Sequence, residues 1–153
     1  MKGLLGTFEH QLDEKNRIRI PAKFLEVFKN EYANEALYFV MYNRNRVAMM
    51  SESVLHSKLA ILGEVLPNDE EGSDAISRLY GSIEDVNKDG QGRAIIPKLH
   101  RREASIEKEV VTVGMGNYIE IWAKEVRAAQ IDSMTLSEAN KKAYARLQTQ
   151  KGV

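Results

Sequence analysis

The chain has no cysteine among its 153 residues. That excludes a disulfide framework, a thiol nucleophile and cysteine-ligated metal. Histidine is scarce: His10, His56 and His100 lie in three different kinds of segment, and their context reads as surface or capping. No zinc-ligand spacing, Ser/His/Asp order or phosphate-binding loop can be assembled from what remains. Net charge is zero, with 22 basic and 22 acidic residues, so no global field draws the chain to polyanions. No apolar run approaches membrane-spanning length, and the first residues lack the apolar stretch of a secretory signal. The expectation is a soluble intracellular protein without enzyme activity, cofactor, metal or membrane partner.

What the sequence does have is a short motif, twice. Asp13-Glu14-Lys15-Asn16-Arg17-Ile18-Arg19-Ile20-Pro21 returns as Asp89-Gly90-Gln91-Gly92-Arg93-Ala94-Ile95-Ile96-Pro97. Asp, Arg, Ile and Pro keep one spacing. Gly6-Thr7-Phe8-Glu9 precedes the first copy and Gly81-Ser82-Ile83-Glu84 the second, with one residue inserted. Such a repeat means that two halves share one supersecondary unit. Each half is small for a core of its own, so the two are expected to share one.

Periodicity places the elements. Thr7 to Leu12 reads as a strand, Asp13 to Asn16 as a turn, and Arg17 to Ile20 as a half-buried strand stopped by Pro21. Ala22 to Lys29 reads as a short helix, Leu37 to Tyr42 as a strand, Asn43 to Arg46 as a turn and Val47 to Met50 as the return strand. Ser51 is the expected N-cap of a helix carrying Val54, Leu55, Leu59 and Leu62 on one face. Ser73 is the expected cap of another with Ile76, Leu79 and Tyr80. Glu109 to Val113 and Tyr118 to Trp122 read as a hairpin around Gly114 to Asn117. Helices are expected from about Ala123 and over Leu136 to Gln148. The last is weakly apolar and suits the surface or a neighbouring subunit.

The units divide as 6–52, a helical connector 53–80, a second unit 81–124 and a helical tail 125–153. Acid collects in the connector, with Glu64, Asp69, Glu70, Glu71 and Asp74 against Lys58 and Arg78. From Val126 the tail is basic, with Arg127, Lys141, Lys142, Arg146 and Lys151 against Asp132 and Glu138.

The chemistry of the repeat is a carboxylate and a guanidinium across a tight loop. Asp caps turns through backbone N–H groups, and the same carboxylate can hold an arginine fork by a bidentate bond. An arginine so held is ready for phosphate or a guanine edge. A hairpin explains the turn, but the arginine recurring in register points to function. Gly90 and Gly92 suit positive φ in that turn, with Asn16 in the place of Gly92. Asp85-x-Asn87-x-Asp89-Gly90 imitates a calcium loop, but its twelfth position is Ile96 rather than a bidentate Glu, which excludes calcium. Lys98-Leu99-His100-Arg101-Arg102 reads as a short helix with Lys98, Arg101 and Arg102 to one side, a solvated face or a phosphate contact.

At these residues the chain resembles the MraZ family of the AbrB/SpoVT-like swapped-hairpin group. The likeness rests on Gly6 to Asp13, on the two loops Asp13 to Arg17 and Asp89 to Arg93 with the prolines that follow, and on Lys108 to Trp122. It implies an α+β, mainly β fold: a pseudo-twofold swapped-hairpin AbrB-like β-barrel from two repeated units, with short helices and a C-terminal helix. It implies a bacterial transcriptional regulator, cytoplasmic and nucleoid-associated. Subunits would form a homo-oligomeric ring and bind repeated promoter boxes in double-stranded DNA, typically before a cell-division and cell-wall gene cluster. The residues carried over as DNA-binding are Asp13, Lys15, Arg17, Arg19, Asp89 and Arg93. Arg17 and Arg93 would touch DNA and the aspartates would orient them. Arg19 aligns with Ile95, so the two halves are not equally basic. The alternative is an AbrB-like antitoxin or protein-interaction scaffold.

Overall fold

The computed structural model describes residues 3–150; Lys151 and the end of the 125–153 tail lie outside them. Local sequence sets the elements. After strand β1 (Thr7–Gln11), the alternating Arg17-Ile18-Arg19 forms β2 (Arg17–Arg19). Pro21 has no N–H for a ladder, and its carbonyl accepts from the amides of Phe24 and Leu25 to open helix α1 (Ala22–Glu31). Phe24 and Phe28, one turn apart, are the buried side chains of that helix. The hairpin β3 (Leu37–Val40) and β4 (Val47–Ser51) follows. Next come α2 (Glu52–Val65), α3 (Glu70–Gly81), β5 (Glu84–Asp85), β6 (Arg93–Ile95) and α4 (Lys98–Glu103). The hairpin β7 (Glu109–Gly114) and β8 (Ile119–Ala123), helix α5 (Lys124–Arg127), a π-helical stretch (Ala128–Asp132) and α6 (Leu136–Gln150) complete the chain.

Six strands form one antiparallel sheet in the order β1-β7-β8-β4-β3-β5, and β2 pairs with β6 in a separate ribbon. Exchange β1 with β5, β3 with β7 and β4 with β8, and the order reads the same backwards. The sequence repeat is therefore a pseudo-twofold of the fold. The first strand of each half pairs with the hairpin of the other, β1 on β7 and β5 on β3. This is the α+β, mainly β swapped-hairpin arrangement that the resemblance implied. Among the described residues the edge strands β1 and β5 do not pair with each other. Both edges are polar: Thr7, Glu9 and Gln11 are exposed, and β5 is two acidic residues, which discourages pairing with another chain.

The middle of the sheet is β4 against β8, and every residue of both is buried. Alternation sends Val47, Met49, Ile119 and Ile121 to one face, where they meet Phe24 of α1. Ile18 and Ile20 from the first repeat and Ala94 and Ile96 from the second enter the same core. Ala48 and Met50 go to the other face, under Val54 and Leu55 of α2. The inner side of the β2–β6 ribbon is thus built into the main core, which makes its outer side a rigid platform.

Four local expectations need correction. Ser51 stands at the start of α2, but its buried hydroxyl makes no capping bond. The Glu35 carboxylate takes that place, accepting from the Ser53 amide at 2.7 Å. Helix α3 begins before Ser73 and is capped by Asp69, which accepts from Gly72 N–H at 2.9 Å. Tyr80, expected inside, is 55% exposed. His100 is not a surface residue: it is fully buried, its Nε2 2.7 Å from the Ser82 carbonyl at the end of α3.

Candidate nucleic-acid interface

The two repeated loops fold alike, atom for atom. In the first, Asp13 Oδ1 accepts from the amides of Lys15 (2.9 Å) and Arg17 (3.0 Å), and Oδ2 accepts from Arg17 Nε at 2.7 Å. In the second, Asp89 Oδ1 accepts from Gln91 (2.8 Å) and Arg93 (3.0 Å), and Oδ2 from Arg93 Nε at 2.8 Å. The backbone repeats too: Asn16 N–H donates to the Asp13 carbonyl and Gly92 N–H to that of Asp89. Asn16 (φ 61°) and Gly92 (φ 74°) supply the left-handed residue each turn requires, while Gly90 does not use it.

The carboxylates are divided, not bidentate on the guanidinium. One oxygen is spent on two backbone amides, so only the other reaches the arginine, and it takes Nε. Each arginine is therefore gripped at Nε, which leaves its terminal nitrogens outside that bond. The aspartates are ionised in this setting. The Arg17 amide is the main cause that lowers the Asp13 pKa, with the Arg17 side chain and the Lys15 amide adding to it. The Arg93 amide leads at Asp89, supported by the Gln91 amide and the Arg93 side chain, and brings it down to about 2.

That shift gives a prediction with a definite sign. The folded value lies below the ordinary 3.8, so the contribution of Asp89 is complete above 3.8 and is lost as pH falls towards about 2. Thermal melts across this window should show a steeper acid loss for the parent chain than for Asp89→Asn. Superimposable profiles would mean that the carboxylate does not order the loop.

The β2–β6 ladder sets the two loops side by side. Arg17 is opposite Ile95, Ile18 opposite Ala94 and Arg19 opposite Arg93. The ribbon closes at both ends through Ile20 N–H to the Gly92 carbonyl and Ile96 N–H to that of Asn16. Arg17 also approaches the other loop, with Nη1 3.8 Å from Asp89 Oδ2. No matching pair of Arg93 with Asp13 occurs among the described residues. Arg19 Nη1 donates to the Gln91 carbonyl at 3.3 Å, and Lys15 is exposed at the tip of its turn. All six residues singled out from the sequence, Asp13, Lys15, Arg17, Arg19, Asp89 and Arg93, therefore gather on this one ribbon. Locally the balance is positive: the Asp13 to Arg19 segment has three cations against two acids, and Lys88 to Ile95 two against one.

The basic run after Pro97 does not present one cationic face. Lys98 and Arg102 are exposed on α4, but Arg101 turns back and its Nε donates to the Ile96 carbonyl at 3.0 Å. This ties α4 to the end of β6. A second polar feature escaped the sequence. Glu120 on β8 is buried, accepts from Trp122 Nε1 at 3.1 Å, and has Arg46 Nη1 3.8 Å away. The Arg46 guanidinium carbon lies 4.2 Å from the centroid of the Trp122 ring. This cluster pins the β3–β4 turn to β8, away from the ribbon. No helix of the described residues is long and apolar enough to cross a membrane.

Comparison with known proteins adds a direct line. The family model described as "MraZ protein, putative antitoxin-like" matches residues 79–149. The transcriptional regulator MraZ of Mycoplasmopsis pulmonis is 36% identical over 122 residues, covering 79% of this chain and 79% of the relative. That of Caldanaerobacter subterraneus subsp. tengcongensis is 32% identical over 130 residues, covering 80% and 82%. That of Koribacter versatilis is 29% identical over 145 residues, covering 93% and 97%.

Proposed function

The chain belongs to the MraZ family, and on that premise we propose that it is a sequence-specific regulator of transcription that binds double-stranded DNA through its β2–β6 ribbon. The observation that carries this reading is the doubled loop, in which two arginines are held at Nε by aspartates and set side by side on a rigid platform. Arg17 and Arg93 contact DNA with their terminal nitrogens, and Asp13 and Asp89 orient them. Lys15 and Arg19 add contacts from the same strand and turn. A two-stranded ribbon is one of the shapes that the major groove admits.

One such platform binds weakly, because a few charges release few counterions. A homo-oligomeric ring presenting many platforms to repeated promoter boxes raises effective concentration and recovers affinity. Zero net charge is then compatible with the function. Together with the family, this supports control of a cell-division and cell-wall gene cluster, by a protein of the cytoplasm and nucleoid. The units 6–52 and 81–124 supply the platform. The connector 53–80 and tail 125–153 are left for assembly.

The test is an electrophoretic shift on DNA taken from upstream of the protein's own operon, against the same DNA with its repeats scrambled. Retarded native DNA and unretarded scrambled DNA are expected. Equal behaviour of the two would reject sequence-specific binding and favour the antitoxin or scaffold alternative.

A further inference from the structure

The outer face of the ribbon breaks its own symmetry at one place. Where the first repeat has Arg19, the second has Ile95. Ile95 is 58% exposed, while Ala94 and Ile96 beside it turn into the core. Strand alternation therefore puts Ile95 on the outward side with Arg17, Arg19 and Arg93. Its direct cross-strand partner is Arg17, the one guanidinium that lies near both aspartates.

An exposed isoleucine alone needs no explanation. The surroundings of this one do. A branched aliphatic chain cannot bond phosphate, and it stands amid three arginines where a fourth cation would serve backbone contact better. In the major groove the apolar feature that distinguishes one base pair from another is the C5-methyl group of thymine. We propose that Ile95 reads thymine methyl groups at the position flanking the Arg17 contact, and so makes a nearly symmetric platform recognise an asymmetric sequence. With Arg19 on one side and Ile95 on the other, the face has a polarity along the DNA and can tell a box from its reverse complement. The inference rests on the ribbon being the DNA-contacting surface.

The experiment compares two duplexes of the upstream region, one with thymine and one with uracil, which pairs identically but lacks the methyl group. Binding is measured by titration for the parent chain, Ile95→Ser and Ile95→Val. Burying one methyl-sized group corresponds to about a four-fold change in affinity. The parent chain should therefore lose about four-fold on the uracil duplex for each methyl engaged. Ile95→Ser should bind the thymine duplex about as weakly as the parent binds uracil, and should not discriminate. Ile95→Val should keep the preference. An unchanged melting profile checks that Ile95→Ser is folded, as its exposed position implies.

Equal binding of both duplexes by the parent chain would overturn the role of Ile95 and leave DNA binding standing. So would a thymine preference surviving in Ile95→Ser. If the parent retards neither duplex more than scrambled DNA, the DNA-binding reading falls, and the role of Ile95 with it.

Discussion

Arg17→Ala is expected to nearly abolish binding to DNA carrying several boxes while leaving the fold intact. The side chain is partly exposed, and its ion pair with Asp13 is at the surface, where solvent screens it, so its loss should cost little stability. Asp13 keeps its two amide bonds, so the turn keeps its shape. At DNA the loss is larger. One arginine on a base edge is worth roughly 1–3 kcal/mol. Every subunit engaged on the same array loses that amount together, so the deficit grows with the number of boxes. A one-box fragment should show a smaller effect, since its affinity begins low. The dependence of binding on salt should flatten, because fewer counterions are released. Titrations at two salt concentrations on one-box and multi-box DNA would measure this. Parent-like affinity and salt dependence in a folded Arg17→Ala would displace Arg17 as the principal contact and move attention to Arg93.

The candidate site was legible because it is local and duplicated. An aspartate that bonds amides two and four residues ahead needs no distant partner, so the loop is written entirely in five residues. Asn16 and Gly92 could be read as equivalent because few residues accept their backbone conformation. The helices with a clear apolar stripe, α1 and α2, were legible for the same reason. Pairings across the chain were not. Nothing in Thr7 to Gln11 by itself says that its partner is β7, or that the two-residue β5 exists at all. The burial of His100 on α4 and Glu120 on β8 follows from elements brought together by the fold, so the pattern within one helix or one strand could not reveal it. The Glu35 cap on α2 escaped for that reason too, since the nearby Ser51 offered the obvious local answer. Ile95 was visible as a departure from the repeat, but its exposure opposite Arg17 required the ribbon register.

A chain cut between Asn68 and Asp69, in the loop joining α2 to α3, is expected to lose its fold in both pieces. The reason lies in the strand pairing. In the 1–68 piece β1 loses β7, β2 loses β6 and β4 loses β8. Of the sheet, the β3–β4 hairpin remains, and a lone hairpin is marginal in water. The 69–153 piece is left likewise with β7–β8. The core is divided as well, because Ile18, Ile20, Val47 and Met49 pack with Ala94, Ile96, Ile119 and Ile121. Each of these side chains except Ala94 is worth roughly 1.5–3 kcal/mol when fully buried. Losing three or four of them withdraws roughly 5–12 kcal/mol, comparable to a total stability on the order of 5–15 kcal/mol. Either piece alone should therefore give a weak, broad melt by circular dichroism, or associate with a second copy of itself to fill the vacant strand positions. Mixing the two pieces in equal amounts should restore one cooperative transition and a single complex of one copy of each. A 1–68 piece that is monomeric by light scattering and melts cooperatively alone would show that the first repeat carries its own core, and the swapped strands would then be an ornament of the fold rather than its basis.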